Sequence, residues 1–431
     1  MNFLKKKFSS ACLTISLLLL IYTFYKSEIH WNGLNRDFYL TYYIISFLLI
    51  IFSIITFFIN QKIKEYLIIS LVSIIVSLYT YEGYLTFKGQ LSKKLLKEQL
   101  YEKDTGEKYD KRTRKEIYED LKKSNSKITL SVAPRNYLEN NKNFKLFPLS
   151  GISNSETIYC NENGYFFIYE SDRFGFNNPD EEWDNKEIEY LLIGDSFTHG
   201  ACVNRPNDIA SVLRTLSNKS VLNLGYAGNG PLIEYATLRE YLNSNVKKIL
   251  WFYFEENDLT ELKQELNNKI IKNYLNDLTF TQNLKFKENE INKLANTLID
   301  RENESFKFKL YRFIKIYKIR FAFLPKSKPQ PQPEFKKILK LAKDLAIKNN
   351  SKLYFVYLAQ YSNYQMKFDN SIYILIKNIV NELDIPLIDI HKEVFEKEEN
   401  PKKLFPFEFS GHYNAEGYKK VAETIYKFTK D

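Results

Sequence analysis

The sequence predicts an α/β protein, a parallel sheet with helices on both faces, preceded by three transmembrane helices. Near the N-terminus three long apolar runs follow one another with almost no charge. Further on, short apolar runs of strand length alternate with helical patterns, as βαβ units do. Several of these runs end in turns carrying glycine, serine or asparagine, and a late loop carries histidine. Such turns fall at the carboxyl edge of a parallel sheet, where α/β proteins keep their sites.

The first apolar run is Leu13 to Tyr25, extended back to Phe8; the second is Phe38 to Ile59; the third is Tyr66 to Tyr81, reaching toward Leu85. Each is of near-spanning length. No small-residue cleavage site follows the first, so it reads as an anchor rather than a signal peptide. Residues 1–85 are therefore expected to contact membrane lipid through three helices. Lys5, Lys6 and Lys7 before the first span, with Lys62 and Lys64 between the second and third, place the N-terminus and that loop inside. Three crossings then put the rest of the chain outside, although Lys88, Lys93, Lys94 and Lys97 behind the third span pull the other way. Residues 86–127, dense in both signs, read as a solvated helical connector within reach of lipid headgroups.

The globular part, residues 128–431, opens its strand pattern with Tyr190 to Ile193, followed by Gly194-Asp195-Ser196-Phe197. Gly194 permits a sharp turn and Asp195 favours a helix start, which presents Ser196 near a helix N-terminus. Val221-Leu222-Asn223-Leu224 leads into Gly225 to Pro231, a glycine-rich turn whose backbone N–H groups can face a ligand. Ile249 to Phe254 runs into Glu255-Glu256-Asn257-Asp258, and Gly411-His412 lies in a loop before a helix at Tyr418 to Phe428. Between them, strands are expected at Lys352 to Leu358 and Ile385 to Ile390, and helices at Phe335 to Asn349 and near Ser371 to Leu383.

Serine, glycine, asparagine and histidine in this order resemble the four blocks of the SGNH (GDSL-type) hydrolase superfamily, over roughly the C-terminal two-thirds of the chain. Asp172-Arg173-Phe174-Gly175-Phe176-Asn177 is similar to the lead-in of many bacterial members. The resemblance implies a flavodoxin-like SGNH domain and a serine esterase. Ser196 would be the nucleophile and His412 the base, with Ser196, Gly228 and Asn257 forming the oxyanion hole. It implies an acylated carbohydrate of the cell envelope or the extracellular space as substrate, an inner-membrane protein with a periplasmic or otherwise extracytoplasmic catalytic domain, and no cofactor. A serine hydroxyl needs a base to take its proton, and histidine suits neutral pH. An alternative is an O-acyltransferase acting with a membrane acyltransferase partner; a second is a non-catalytic glycan-binding scaffold that retains the fold.

Two positions depart from the family pattern. The aspartate usual three residues before the histidine is replaced by Phe409, so Glu408 is the candidate orienting acid; Ser410, a backbone carbonyl, or a serine–histidine dyad are the alternatives. Glu255-Glu256 replaces the usual glycine before the asparagine. Of the other histidines, His199 is read as a pocket or structural contact, His391 as the end of a strand and His30 as a loop residue.

The formal net charge of +10 is spread among acids without a compact basic cluster or a nucleic-acid motif, which argues against a nucleic-acid partner. Cys160 and Cys202 are candidates for a disulfide if the domain is extracytoplasmic, with buried free thiols as the alternative; Cys12 is a packing residue of the first span. No metal-ligand cluster is evident in the sequence. An insertion at about 259–334 ends in the proline-rich stretch Pro325 to Pro333, and leaves the catalytic edge as a lid or as a peripheral helical pair.

Overall fold

A computed structural model describes residues 2–33, 36–140, 145–243, 245–301, 305–323, 330–365 and 369–430. Strands β1 (Ile128–Leu130), β2 (Glu156–Ile158) and β3 (Ile168–Glu170) form a small sheet. The main sheet is built from β4 (Ile188–Ile193), β5 (Val221–Asn223), β6 (Val246–Phe254), β7 (Lys352–Leu358) and β8 (Leu387–Asp389). Their spatial order is β5-β4-β6-β7-β8 and every neighbouring pair is parallel. The order reverses at β4, which pairs with β5 on one side and β6 on the other. The crevice at the carboxyl ends of β4 and β6 is thus the topological switch point of a doubly wound sheet.

The strands are mostly apolar because both faces of the sheet are covered, and the charged residues of β4, β6 and β7 fall at or near their starts. Alternate residues serve opposite cores. Leu191, Ile193, Ile249, Trp251, Phe355 and Tyr357 pack on one side with helices Pro231–Tyr241, Pro333–Lys348 and Ser371–Glu382. Tyr190, Leu192, Leu250, Phe252, Val356 and Leu358 pack on the other with helices Ile209–Ser217 and Ala415–Thr429. A one-residue slip of β6 would exchange these two sets.

The lead-in segment buttresses the edge of this sheet. Buried Asp172 accepts hydrogen bonds from the Phe174 and Phe176 N–H groups, both at 2.9 Å, from Asn178 Nδ2 at 2.9 Å and from Trp183 Nε1 at 2.8 Å. Asn178 then bridges to β5, donating to the Asn223 carbonyl at 2.9 Å and accepting from its N–H at 2.8 Å. Asn177 donates to the His199 carbonyl at 2.9 Å, so the lead-in grips the short helix after β4 as well.

The chain divides into two units, Met1–Lys94 with Glu304–Ser327, and Leu95–Asn303 with Lys328–Asp431. The first contains three helical stretches long and apolar enough to cross a membrane, Lys6–His30, Arg36–Ile55 and Gln61–Thr86. Their large apolar side chains are mostly exposed, as lipid-facing residues are. The third belongs to one helix, Gln61–Thr105, so no break falls at the expected boundary near residue 85. The insertion is divided between the two units. Residues 258–301 pack with the α/β unit, whereas helices Ser305–Ile314 and Tyr317–Phe323 pack with the apolar spans. Pro325 to Pro329 of the proline-rich stretch lie outside the described residues.

Asp172→Ala leaves four donors without their acceptor in a dry interior. The unfolding free energy is expected to fall by about 3 kcal/mol, measured by denaturant titration of the detergent-solubilised protein with tryptophan fluorescence, to which Trp183 reports directly.

Candidate active site

The place of Ser196 is set by backbone geometry. After β4 the chain turns at Gly194, where a Cβ would fall 2.1 Å from Thr198 Oγ1 and 2.9 Å from Phe252 Cβ, so only glycine fits. Asp195 caps the short helix Ser196–His199, its Oδ1 accepting the Phe197 N–H at 2.9 Å. Ser196 is the first residue of that helix and is 8% exposed, just past the carboxyl end of β4.

His412 arrives from the far end of the chain on a loop held at both flanks. Asn414 caps the helix Ala415–Thr429 through the Gly417 N–H at 2.9 Å, and the Tyr413 hydroxyl donates to the Ala359 carbonyl at 2.5 Å. His412 Nε2 lies 2.8 Å from Ser196 Oγ, and Nδ1 lies 3.1 Å from Glu162 Oε1. The His412 backbone N–H also donates to Glu162 Oε2 at 2.7 Å. One carboxylate therefore sets the ring's tautomer and anchors its backbone, leaving Nε2 to face the serine. Gly411 permits this approach, since a Cβ there would lie 2.5 Å from Glu162 Oε2.

Glu162, not Glu408, is the carboxylate against His412 Nδ1. Glu408 has a left-handed backbone (φ 58°), its carbonyl accepts from the Tyr361 hydroxyl and its carboxylate accepts from Asn400 Nδ2 at 3.2 Å, which turns it away from the ring. The Glu162 loop is tied down two residues upstream by the disulfide Cys160–Cys202. Next to Glu162, Asn163 Nδ2 donates to the Cys202 carbonyl at 2.7 Å, and Cys202 Sγ lies 3.9 Å from His412 Nδ1. Glu162, Cys202 and His412 place donor atoms within 4.8 Å of one another. With Cys202 in a disulfide and the other two hydrogen-bonded in line with Ser196, this donor set suits a serine relay rather than a metal.

The charges in this relay reinforce each other. Burial alone disfavours the charged ring, but the Glu162 carboxylate, helped by Asp195 and Glu256, outweighs it and raises the His412 pKa above its ordinary value. Burial likewise pushes Glu162 up, and the adjacent His412 with its two hydrogen bonds brings it below the usual carboxylate range.

Asn257 follows β6 at the other side of the switch point. Its Nδ2 donates to Asp195 Oδ2 at 3.1 Å and to Glu261 Oε2 at 3.2 Å, and its Oδ1 is buried without a partner. Both N–H donors are thus engaged in the resting site. Asp195 also backs the Ser196 N–H, and Gly228 sits in the turn after β5 with the stem of Arg135 against it. Arg135 Nη1 pairs with Glu261 Oε1 at 3.2 Å, and its side chain is 55% exposed. Behind Asn257 lies a buried acidic cluster. Burial and mutual repulsion raise Asp258, Glu261 and Glu234 well above the carboxylate range. Burial pushes Glu265 up to about 7 although it accepts the N–H groups of Gly230, Leu232 and Ile233 at the start of the helix Pro231–Tyr241.

The remaining histidines stand apart from the relay. His199 is fully buried among Tyr159, Tyr169 and Tyr226, with ring centroids 4.8–5.5 Å away, and burial pushes its pKa down to about 3, so it is a neutral packing group. His391 closes β8, with Nδ1 2.7 Å from the Tyr364 hydroxyl. Glu255 accepts from the Tyr357 hydroxyl inside the core, whereas Glu256 is exposed. The sequence reading missed Glu162, Arg135 and Glu261. A signal for Glu162 was present: pairing Cys160 with Cys202, six residues after Ser196, brings an acid two residues from Cys160 to the site.

No protein-family model and no curated protein sequence matches the chain. Among solved structures, the chain is similar to one described as a lipolytic protein of the G-D-S-L family from Desulfitobacterium hafniense, at 14% identity over 56% of this chain and 99% of that one, with a TM-score of 0.33. It is also similar to an acetyl xylan esterase, at 14% identity over 56% and 100% of the two chains, with a TM-score of 0.32. A third is an acetylxylan esterase from Geobacillus stearothermophilus, at 14% identity over 56% and 93%, with a TM-score of 0.30.

Glu162→Gln removes the counter-charge while keeping the shape. Catalytic turnover is expected to fall by about 10³–10⁴-fold. Because a base works only when neutral and Glu162 raises the His412 pKa, the acidic limb of the kcat/KM profile should move to lower pH in this variant; an unmoved limb would show that Glu162 does not charge-couple to the base. Cys160→Ser, or reductant acting on the parent, loosens the Glu162 loop and should cost roughly 10²-fold in the same assay, while Cys12→Ser costs nothing.

Proposed function

We propose that this protein is a membrane-anchored serine ester hydrolase of the SGNH type that removes acetyl or other acyl groups from a cell-envelope or extracellular glycan. The observation that carries this reading is the continuous relay Ser196–His412–Glu162 at the switch point of the sheet, with distances of 2.8 and 3.1 Å. A hydroxyl, a half-buried imidazole and a carboxylate in line are what acyl transfer through serine requires.

In the first half-reaction Ser196 Oγ attacks the ester carbonyl carbon as its proton passes to His412 Nε2. The carbonyl oxygen becomes an oxyanion, stabilised by the N–H groups of Ser196 and Gly228 and by one N–H of Asn257. For this Asn257 swings that N–H away from Glu261, which now accepts it at 3.2 Å. Collapse of the intermediate breaks the bond to the alcohol oxygen, which leaves with the proton from His412. Water then attacks the acyl-Ser196 ester by the reverse roles, releasing the acid and restoring the serine. No step calls for a cofactor.

The membrane spans and the disulfide support an extracytoplasmic placement of the catalytic unit, since structural disulfides persist in oxidising compartments. With Lys5–Lys7 inside, the three crossings agree with this in an inner membrane. An acyl-serine can pass its acyl group to a sugar hydroxyl as well as to water, and a membrane acyltransferase partner would supply the donor in that case.

The test is acetate release from a per-O-acetylated oligosaccharide by the full chain in lipid nanodiscs, with an unacetylated glycan acceptor added in a parallel reaction. The parent is expected to turn over and to label at Ser196 with a fluorophosphonate, Ser196→Ala to lose both, and His412→Ala to lose about 10⁴-fold or more in rate. Acyl transfer to the added acceptor would favour the transferase role. A folded parent that neither turns over nor labels overturns the enzymatic reading.

A further inference from the structure

We propose that the helical pair Ser305–Ile314 and Tyr317–Phe323 lies in the membrane interface and binds an anionic phospholipid surface, a fourth membrane contact besides the three spans. This inference does not depend on the hydrolase reading.

The segment is built for such a place. Residues 305–323 carry six basic side chains, Lys307, Lys309, Arg312, Lys315, Lys318 and Arg320, seven aromatic ones and no acid. Basic and aromatic residues without acids suit the headgroup layer, where the cations meet phosphate and the rings sit at the apolar boundary. Although it is joined to the chain between two parts of the α/β unit, the pair packs within the unit that contains the spans.

Its attachments all lie at one end of the three spans. The Tyr79 hydroxyl donates to the Ile314 carbonyl at 2.8 Å, and the Tyr79 and Phe313 rings are 5.6 Å apart. Lys315 Nζ donates to the Tyr22 hydroxyl at 3.1 Å, and Arg320 Nε to the Tyr42 hydroxyl at 3.0 Å. Buried Glu82 accepts the N–H groups of Lys318 at 2.8 Å and Ile319 at 2.9 Å, which gives a carboxylate inside an apolar span its partners. Tyr22, Tyr42, Tyr79 and Glu82 are one to two helical turns inside the span ends at His30, Arg36 and Thr86. The pair therefore rests against the flank of the bundle, about as deep as the headgroup layer.

The outward face is apolar and continuous with lipid-facing surface. Leu310, Tyr311, Ile314 and Phe321 are 45–57% exposed. Exposed apolar side chains on a strongly cationic segment, held beside lipid-facing helices, are complementary to a surface that is apolar below and negative above. A lipid leaflet containing acidic phospholipid is such a surface.

The experiment uses the full chain in nanodiscs, with Cys12→Ser as background and a solvent-sensitive fluorophore attached at Ile314→Cys or Phe321→Cys. Both positions are exposed, so the substitutions leave the fold intact. In phosphatidylcholine discs containing one-third phosphatidylglycerol, both labels are expected to emit to the blue and to be quenched by shallow spin-labelled lipid. Spin-labelled phosphatidylglycerol should be about fivefold enriched over spin-labelled phosphatidylcholine around the label, the worth of a single basic residue near an anionic surface, and high salt should reduce the preference. Emission as in water with quenching by soluble iodide overturns the proposal. Blue emission without preference between the two lipids overturns its anionic part, and blue emission that appears only as protein concentration rises assigns the face to a second copy of the chain instead.

Discussion

The contact between the half-buried His412 ring and the Glu162 carboxylate, with Ser196 on the ring's other nitrogen, ties the end of the chain to the lead-in segment and to the turn after β4. His412 packs on Phe197, with ring centroids 4.8 Å apart, beside the Cys160–Cys202 disulfide, in surroundings that would by themselves keep the ring neutral. The Glu162 carboxylate reverses the balance, and it comes from outside the main sheet. Every device nearby serves that delivery: the disulfide, the Asn163 contact to Cys202, and the glycine at 411 that lets the acid approach the backbone.

The Asn257 side of the site obeys a related constraint. Asp195 caps the nucleophile helix and also receives Asn257, so the strand turns after β4 and β6 are locked to each other through one carboxylate. Several further acids lie buried behind it, and so many like charges in a dry interior cannot all ionise. Arg135, with its stem on Gly228 and its head on Glu261, is the one cation paired with this cluster among the described contacts.

The insertion after the Asn257 block illustrates how a local pattern misleads. Read along the chain, residues 259–334 form one polar, helix-rich excursion from the catalytic edge. In three dimensions its first half completes the core against the helix Pro231–Tyr241, while its cationic, aromatic second half belongs with the apolar spans. The distinction lies in charge balance: acids occur throughout 258–301 and vanish from 305 to 323.

The sequence by itself determined the three apolar spans, the parallel α/β unit, and the turns bearing Ser196, Gly228, Asn257 and His412, because these depend on local rules: run length, two-residue alternation, and glycine or capping residues at strand ends. Ser196 and His412 could be named as partners only through the resemblance of four ordered blocks. Tertiary structure alone decided which acid faces His412, since Glu162 is 250 residues away and no spacing rule connects them. The same holds for Glu261 and Arg135, and for the Tyr22, Tyr42 and Glu82 contacts to residues 315–320. A carboxylate's role is set by what it is buried against, and burial is a property of the folded chain.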